Sequence, residues 1–228
     1  SNIALLGITT ETPFDKRHDC WFCGEPNQYV FTCSNAFELQ AEMTTLSLPS
    51  CKECNQVAKK SIVKAKGEGA YYSIWTIKSE VKQYLLHHYH KDLAIGINWT
   101  KKELEESEFS QGNFAGFQRS AWFMFEVAKA RVNYASWPLI IDGVTLLDEY
   151  QDRHFHFDGV DYPNIEQAIL HYANSLSLSL DYFRSVLTLV GSDNFAKAVR
   201  FCRLLVASNV LERQQALRQL RLEVTPLK

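Results

Sequence analysis

Two cysteine pairs constrain the fold of this chain more than any other feature. Cys20 and Cys23 form the first CxxC motif, and Cys51 and Cys54 form the second. Two residues between the cysteines of a pair let both thiolates reach one metal ion from a tight turn. Two such pairs complete a tetrahedral shell of four thiolates around zinc, which leaves no coordination position open for water. The sequence therefore predicts one structural Zn²⁺ per chain rather than a catalytic one.

The residues that follow each pair predict its local structure. Gly24, directly after the first pair, suits a turn that needs a positive φ angle. The stretch 55–66, directly after the second pair, contains no Gly or Pro and is rich in helix formers. We therefore predict a treble clef, in which the second pair of ligands lies at the start of a helix. The dipole of that helix favours thiolate ligands near its N-terminus.

Two motifs carry a resemblance to a known family: Cys20-x-x-Cys23-Gly24 and Leu48-Pro-Ser-Cys51-x-x-Cys54-Asn55-x-x-x-Lys59. They resemble the two zinc half-sites of HNH-type endonucleases, and the resemblance covers residues 18–66 only. That family places an Asp-His or His-His pair between its cysteine pairs, where it supplies the general base and a ligand for the catalytic metal. This chain has no histidine or aspartate there, and its acids are Glu25, Glu38 and Glu42. The resemblance therefore implies a degenerate, non-catalytic zinc module that binds nucleic acid or a protein partner.

Charge is distributed unevenly along the chain. The formal net charge is −2, so the chain as a whole has no general attraction to nucleic acid. Lysines are concentrated on and after the predicted zinc-module helix, where Glu53 is the accompanying acid. Such lysines could contact phosphates, or they could simply form a solvated helix face. The candidate nucleic-acid-binding residues are Lys59, Lys60, Lys64 and Lys66.

The other two cysteines give no indication of a disulfide framework. Cys33 and Cys202 are both predicted to be small buried residues, and a substitute metal ligand is the alternative for Cys33. Thiolate ligation fits a reducing compartment. The chain also lacks the roughly 18 uninterrupted apolar residues of a transmembrane helix, and it does not open on a signal segment. We therefore expect a cytoplasmic protein that is not associated with a membrane.

Hydrophobic periodicity predicts a mainly α-helical fold with a minor β element. Asp142-Gly143 and Asp158-Gly159 each follow an apolar run, which predicts two small β-hairpins within 138–162. Residues 91–112 are predicted to be mostly connection. The predicted helices cover 73–90, 100–106, 113–134, 165–190 and about 193–222. The last two are expected to pack as an antiparallel hairpin.

The expected organisation has three parts. They are a lead-in segment at 1–17, a four-cysteine zinc module at 18–66, and a helical domain at 67–228 that ends in the C-terminal helical hairpin 164–222. The sequence shows no P-loop, Rossmann or nucleophile-elbow pattern, which weakens most enzyme classes.

Polar residues alternate with aromatic ones at 154–158, and they are a candidate second metal site outside the zinc module. His154, His156 and Asp158 would project from one face of a strand, and they are residue types that bind divalent metals. A half-buried strand with Phe155 and Phe157 on its inner face would show the same alternation. Three hypotheses therefore remain open. They are a non-catalytic zinc protein that binds nucleic acid or protein, a hydrolase or nuclease with a second metal at these three residues, and an assembly protein that dimerises through its C-terminal helical hairpin.

Overall fold

The computed structural model describes residues 7–34, 45–64, 73–99, 101–106, 115–141, 143–148 and 150–225. These residues are mainly helical, as predicted, with short β-strands. The strands are β1 (Gly7–Thr9), β2 (Tyr29–Ser34), β3 (Thr45–Ser50), β4 (Ile140–Ile141), β5 (Val144–Thr145), β6 (Phe155–Phe157) and β7 (Val160–Tyr162). The α-helices are α1 (Lys52–Lys64), α2 (Ile74–His88), α3 (His90–Asn98), α4 (Lys101–Glu106), α5 (Ala115–Asn133), α6 (Ile165–Ser175), α7 (Leu180–Val190), α8 (Phe195–Leu204) and α9 (Val210–Val224).

The described chain forms two compact units. The first, called the metal-site unit, is drawn from Ser1–Tyr89 and Phe123–Pro163, and the second, called the helical unit, from His90–Trp122 and Asn164–Lys228. Segments of the predicted helical domain 67–228 therefore contribute to both units. The predicted boundary at residues 66–67 lies outside the described residues.

A three-stranded sheet supports the metal-site unit. β3 is its central strand, pairing parallel with β1 and antiparallel with β2. Phe31 lies opposite Leu48 and Cys33 lies opposite Leu46, and all four side chains are buried. Val30 and Thr32 alternate with them and are exposed. This period of two is that of a half-buried strand, and it confirms the predicted buried position of Cys33.

Helix α2 packs against α1 in the same unit and confirms the predicted apolar stripe. Ile74, Ile77, Val81 and Leu85 recur at steps of three and four residues, and all four are buried. The hydroxyl of Ser73 accepts a hydrogen bond from the backbone N–H of Thr76 and so caps the N-terminus of the helix.

Helix α5 confirms the predicted helix at 113–134 over residues 115–133, and it buries a narrow apolar face. Phe125, Ala128 and Val132 are buried, whereas Phe123 is 62% exposed and does not belong to the core.

Two antiparallel hairpins occupy the positions that the Asp-Gly pairs predicted. β4 pairs with β5 and β6 pairs with β7, as two separate two-stranded sheets. In the second hairpin the turn residues Asp158 and Gly159 have φ angles of 50° and 76°. An Asp-Gly turn accommodates two positive φ angles at low cost, which explains why the local sequence was sufficient here.

The predicted C-terminal hairpin of two long helices is wrong. The first helix ends at Ser175 and resumes at Leu180, with Ser177 at a φ angle of 54° between them. The second ends at Leu204 and resumes at Val210, where Asn209 and Glu212 form a reciprocal capping box. Residues 164–222 therefore contain four α-helices.

One smaller helical prediction is also corrected, since residues 90–98 form α3 rather than a connection. Pro163 precedes Asn164, the N-cap of α6. A short 3-10 helix, Ser192–Asn194, lies between α7 and α8. Gly191 confirms the predicted end of the preceding helix, with a φ angle of 87°.

The core of the helical unit is aromatic. The ring of Phe195 meets the rings of Tyr172 and Phe183 edge to face, with centroids 5.4 and 5.5 Å apart. All three residues are buried. Cys202 is buried as well, as predicted, and it belongs to the helical unit.

Candidate metal centre

The fold brings the four paired cysteines together. Cys20 and Cys23 flank a turn that precedes β2, Cys51 directly follows β3, and Cys54 lies in the first turn of α1. Their four sulfur atoms lie within 4.8 Å of one another, and all four residues are buried. The second pair of ligands therefore lies at the start of a helix, as the sequence predicted.

The spacing of the sulfur atoms fits a metal ion. The sulfur atoms of Cys23 and Cys51 are 3.8 Å apart. Four sulfur atoms held tetrahedrally at the usual Zn–S distance of about 2.3 Å would be separated by about 3.8 Å. The donor set and this distance are both compatible with zinc.

A tight turn shapes the first pair. The N–H of Gly24 donates to the carbonyl of Cys20 at 2.9 Å, and Gly24 has a φ angle of 78°. A Cβ atom at this position would lie 2.5 Å from the ring of Tyr134. Only glycine therefore satisfies both the backbone conformation and the close approach of the aromatic ring.

The second pair uses the N-terminus of α1. The N–H of Cys54 donates to the sulfur of Cys51 at 3.4 Å. This contact, together with the helix dipole, favours the thiolate form of Cys51. The N–H of Trp21 donates to the carbonyl of Pro49 at 2.9 Å and so joins the two halves of the site through their backbones.

A buried arginine forms the outer layer of the site. Arg131 is 8% exposed, and its Nη2 donates to the sulfur of Cys23 at 3.5 Å. Its Nη1 lies 3.3 Å from a carboxylate oxygen of Glu53, and the hydroxyl of Tyr89 donates to both oxygens of that carboxylate. Arg131 and Glu53 therefore connect the first cysteine pair to α1.

A buried lysine, Lys82, binds carbonyl groups at the C-terminal end of α5, the helix that carries Arg131. Lys82 is 7% exposed, and its ammonium group donates to the carbonyls of Arg131 and Tyr134 at 2.9 and 3.0 Å. It thereby satisfies carbonyls at the C-terminal end of α5, which lack partners within the helix. Burial lowers the pKa of Lys82 to about 8, while the charges of Cys23 and Cys54 act in the opposite direction.

The two buried cations complement the charge of the site. Zn²⁺ with four thiolates has a net charge of −2, and a buried charge of that size needs compensation. Arg131 and Lys82 supply two positive charges. The sequence contained one indication of this arrangement, since Arg131 lies among Ala128 and Val132 on the apolar side of α5, where an unpaired cation is rarely buried.

The thiols influence one another strongly. The hydrogen bond with Cys20 lowers the pKa of Cys23 to about 6, and the charge of Arg131 acts in the same direction. The hydrogen bonds to Cys20, Cys23 and Cys51 raise the pKa of Cys54, to which burial also contributes. Four sulfur atoms this close cannot all ionise without a cation between them, so the cluster suits a metal ion.

The predicted lysine patch is described in part. Lys59 and Lys60 lie on α1 and are exposed, whereas Ala58 and Ser61 face inward. Lys64 is the last residue of α1, and its side chain lies outside what the structure describes, as does the whole of Lys66.

The candidate site at His154, His156 and Asp158 differs from the prediction. Asp158 lies in the turn between β6 and β7 and is exposed. Both histidines instead approach Asp161 on β7, with the Nδ1 atoms of His154 and His156 at 3.2 and 3.5 Å from its carboxylate. Antiparallel pairing explains why Asp161, rather than Asp158, lies beside the histidines, because His156 is opposite Asp161 in the register of the hairpin. Within the described ranges, the four cysteines are the cluster of His, Cys, Asp and Glu residues with the geometry to hold a metal.

Comparison of the chain with protein-family models, with curated proteins and with solved structures gives no match. Among the described residues, no helix is both long enough and apolar enough to cross a membrane.

Proposed function

We propose that this protein is a zinc-binding, non-catalytic protein that binds nucleic acid through an HNH-like, treble-clef zinc module. The observation that carries this proposal is the position of α1. The helix begins at the second cysteine pair and presents Lys59 and Lys60 to solvent. The zinc ion thereby stabilises the element that makes the contacts.

The proposed zinc has a structural role. Four buried thiolates fill a tetrahedral shell, so no position remains for a water nucleophile or a substrate. The stretch between the cysteine pairs contains no histidine or aspartate to hold a second, catalytic metal. None of the six cysteines, all of which lie in described segments, is in a disulfide bond, so the four paired cysteines can act as thiolate ligands.

The pairing of Glu53 supports an electropositive α1 surface. Glu53 is the acid closest in sequence to the lysines, and its carboxylate is bound by Arg131 and Tyr89. Its carboxylate is therefore engaged by two partners within the unit. Lys52, Lys59 and Lys60 are exposed, and each phosphate contact would add affinity that is independent of base sequence and sensitive to salt.

Electrophoretic mobility shifts with single-stranded and duplex DNA and RNA at low salt test the proposal. Replacing Lys59, Lys60, Lys64 and Lys66 by glutamine should weaken binding and reduce its dependence on salt concentration. Lys101→Gln with Lys102→Gln is the matched control, because these lysines are exposed on α4 in the other unit. The proposal fails if the zinc-loaded protein binds none of these nucleic acids, or if both sets of variants bind equally well.

Self-association through the C-terminal helices is a second candidate, which an exposed apolar surface favours. Leu211 and Leu222 are 60% and 72% exposed on α9, and Leu204 on α8 is also exposed. An antiparallel pair of α9 helices would bring Glu212 of one copy near Arg221 of the other. Light scattering should then show a dimer that Leu211→Ser with Leu222→Ser dissociates and that Leu147→Ser, a control at an exposed leucine of the metal-site unit, leaves intact. A wild-type monomer at all concentrations would rule this out.

A further inference from the structure

One exposed face of α8, in the helical unit, carries three basic side chains. Lys197, Arg200 and Arg203 recur at steps of three residues, and all three are exposed. Residues three apart lie on the same side of a helix with 3.6 residues per turn. The opposite side of α8 is buried in the unit through Phe195, Ala198, Val199 and Cys202. The three cations therefore form a stripe that points to solvent, called the α8 basic stripe.

No acid of the described chain compensates this stripe. None of its three cations forms an ion pair within the residues that the structure describes. Asp193 is the acid nearest to it in the sequence, and Asp193 is itself exposed and unpaired with Lys197. Two other acids of the helical unit are engaged elsewhere. Glu166 pairs with Arg184, and Glu212 accepts from a backbone N–H in the capping box of α9.

The stability of α8 does not account for these charges. Lys197 lies in the first turn, where the positive end of the helix dipole disfavours a cation. Like charges three residues apart on a helix also repel one another. Arg203, in the last turn, is the member of the stripe that the dipole favours. The stripe as a whole is therefore unfavourable for the isolated helix, and an anionic partner would offset this effect.

Another arginine of the same unit shows how a structural arginine is held. The Nε and Nη2 atoms of Arg213 donate to the carbonyls of Leu205 and Val206 at 3.2 and 3.0 Å. Arg213 thereby fixes the connection between α8 and α9. Arg200 and Arg203 make no comparable contact with the described chain. Their guanidinium groups, each with five N–H donors, are left for an external partner.

The length of the stripe fits a run of phosphates. Arg203 follows Lys197 by six residues, which is about 9 Å along a helix that rises about 1.5 Å per residue. One strand of duplex DNA presents a phosphate about every 3.4 Å along the axis, so about three phosphates match this length. The planar guanidinium of an arginine binds a phosphate through two parallel hydrogen bonds. Two of the three cations are arginines, so both spacing and side-chain type are complementary to a phosphate backbone.

We propose that the α8 basic stripe binds the phosphate backbone of duplex nucleic acid, as a contact surface separate from the lysines of α1. The inference rests on the proposed function for its class of partner, but it assigns contacts to the helical unit rather than to the zinc module. Phosphate contacts are independent of base sequence, and they weaken as salt concentration rises.

Mobility shifts of a short DNA duplex with the full zinc-loaded chain, at several salt concentrations, test this surface. Lys197→Gln with Arg200→Gln and Arg203→Gln should weaken binding about tenfold or more. The slope of log affinity against log salt should fall by about 0.9 for each lost contact. Lys91→Gln with Lys101→Gln and Lys102→Gln is the matched control, because it removes three exposed positive charges from α3 and α4 of the same unit.

A charge-conserving variant tests the role of the guanidinium groups. Arg200→Lys with Arg203→Lys should keep the salt slope but lower the affinity severalfold, because lysine cannot bind a phosphate with a planar fork. Polyglutamate should displace the duplex less effectively than unlabelled DNA does at the same concentration of charge. Equal displacement would show a general attraction to anions and would overturn the proposal.

The α1 variant described above separates this inference from the proposed function. Loss of binding in the α1 variant alone would overturn the α8 surface and leave the contacts of the zinc module standing. Loss in the α8 variant alone would support this inference and overturn the contacts of α1. Equal affinity of the α8 variant and its matched control would also overturn the inference.

Absence of binding by the wild-type protein would contradict both proposals.

Discussion

The guanidinium of Arg131 donates to the sulfur of Cys23 at 3.5 Å, although the two residues are 108 positions apart in the chain. The same group contacts Glu53 at 3.3 Å in the first turn of α1. One side chain therefore touches a proposed zinc ligand and the helix that carries another ligand. Because its charge offsets that of the thiolates, Arg131 should affect metal affinity as well as folding.

Replacing Arg131 by methionine should weaken zinc binding by about 10- to 100-fold, the usual effect of removing an outer-layer partner. Arg131→Lys should restore little of the affinity. A lysine ammonium is a compact group without the planar fork of a guanidinium, so it cannot contact Cys23 and Glu53 together. Competition with a chromophoric zinc chelator measures this effect. Arg218→Met on the exposed surface of α9 is the control. Unchanged zinc affinity in the Arg131 variants would show that the arginine is structural only.

Removing the metal should unfold the metal-site unit selectively. The four sulfur ligands are buried, and they come from two segments that are separated in the sequence. Without the metal ion, nothing bonds these two segments to each other at the cluster. Chelation, or Cys54→Ser, should abolish the stoichiometric zinc and lower the melting temperature. Cys202→Ser is the matched control, because Cys202 lies in the helical unit and outside the cluster. Zinc content that persists in the Cys54 variant would contradict the four-ligand site.

Gly24→Ala should be more destabilising than Gly143→Ala. Both glycines have positive φ angles, 78° and 76°, so each substitution carries the strain of that conformation, about 1 kcal/mol. At Gly143 an added Cβ meets nothing within 4 Å, whereas at Gly24 it would lie 2.5 Å from the ring of Tyr134. Overpacking should add a further 1–3 kcal/mol or so at Gly24. Denaturant unfolding of both variants measures the difference, and equal costs would contradict the close contact.

Stability should fall as the pH decreases from about 6.5 to about 4 because of His171. Burial in the helical unit lowers the pKa of His171 to about 4, below its value in the unfolded chain. Between these two pH values the unfolded state binds the proton and the folded state does not, so protonation favours unfolding. The loss attributable to this residue is complete below pH 4 and amounts to roughly 3 kcal/mol.

The His171 effect can be isolated by substitution. Denaturant unfolding at several pH values should show a smaller dependence on pH in His171→Gln than in the wild type. His87→Gln is the control at an exposed histidine. If the slope between pH 6.5 and 4 is the same in wild type and His171→Gln, His171 is not the group responsible.

The sequence was sufficient wherever the determinant was local. The CxxC spacing, the helix-forming stretch after Cys54 and the Asp-Gly turns each encode their geometry within a few residues, and the structure confirms all three. The breaks at Ser177 and before Asn209 were missed because the apolar stripe continues across them. Apolar spacing does not mark a turn by itself: Val206 and Val210 fit the helical spacing on either side of the second break, yet they are 41% and 70% exposed.

Two contacts of the candidate sites, that of Asp161 with the histidines and that of Arg131 with Cys23, could not be predicted from the sequence, because they depend on which elements lie side by side. Asp161 replaces Asp158 beside the histidines because a strand residue meets its partner across the hairpin, whereas the turn residue points away from the ladder. Arg131 reaches Cys23 and Glu53 from a helix that is far from both in the sequence. Hydrophobic patterning indicates that α5 has a buried face, but it does not identify what that face meets.

The position of Arg131 in the chain also has a consequence for protein synthesis. All four sulfur ligands precede residue 55, whereas Arg131 follows Glu53 by 78 residues. At roughly 5–20 residues per second, a ribosome would complete the ligand set several seconds before it adds the arginine. A nascent chain that captures zinc early would hold a doubly negative complex without Arg131, one of its two compensating cations. The mature centre would then retain the ion more strongly than the growing chain that first acquired it.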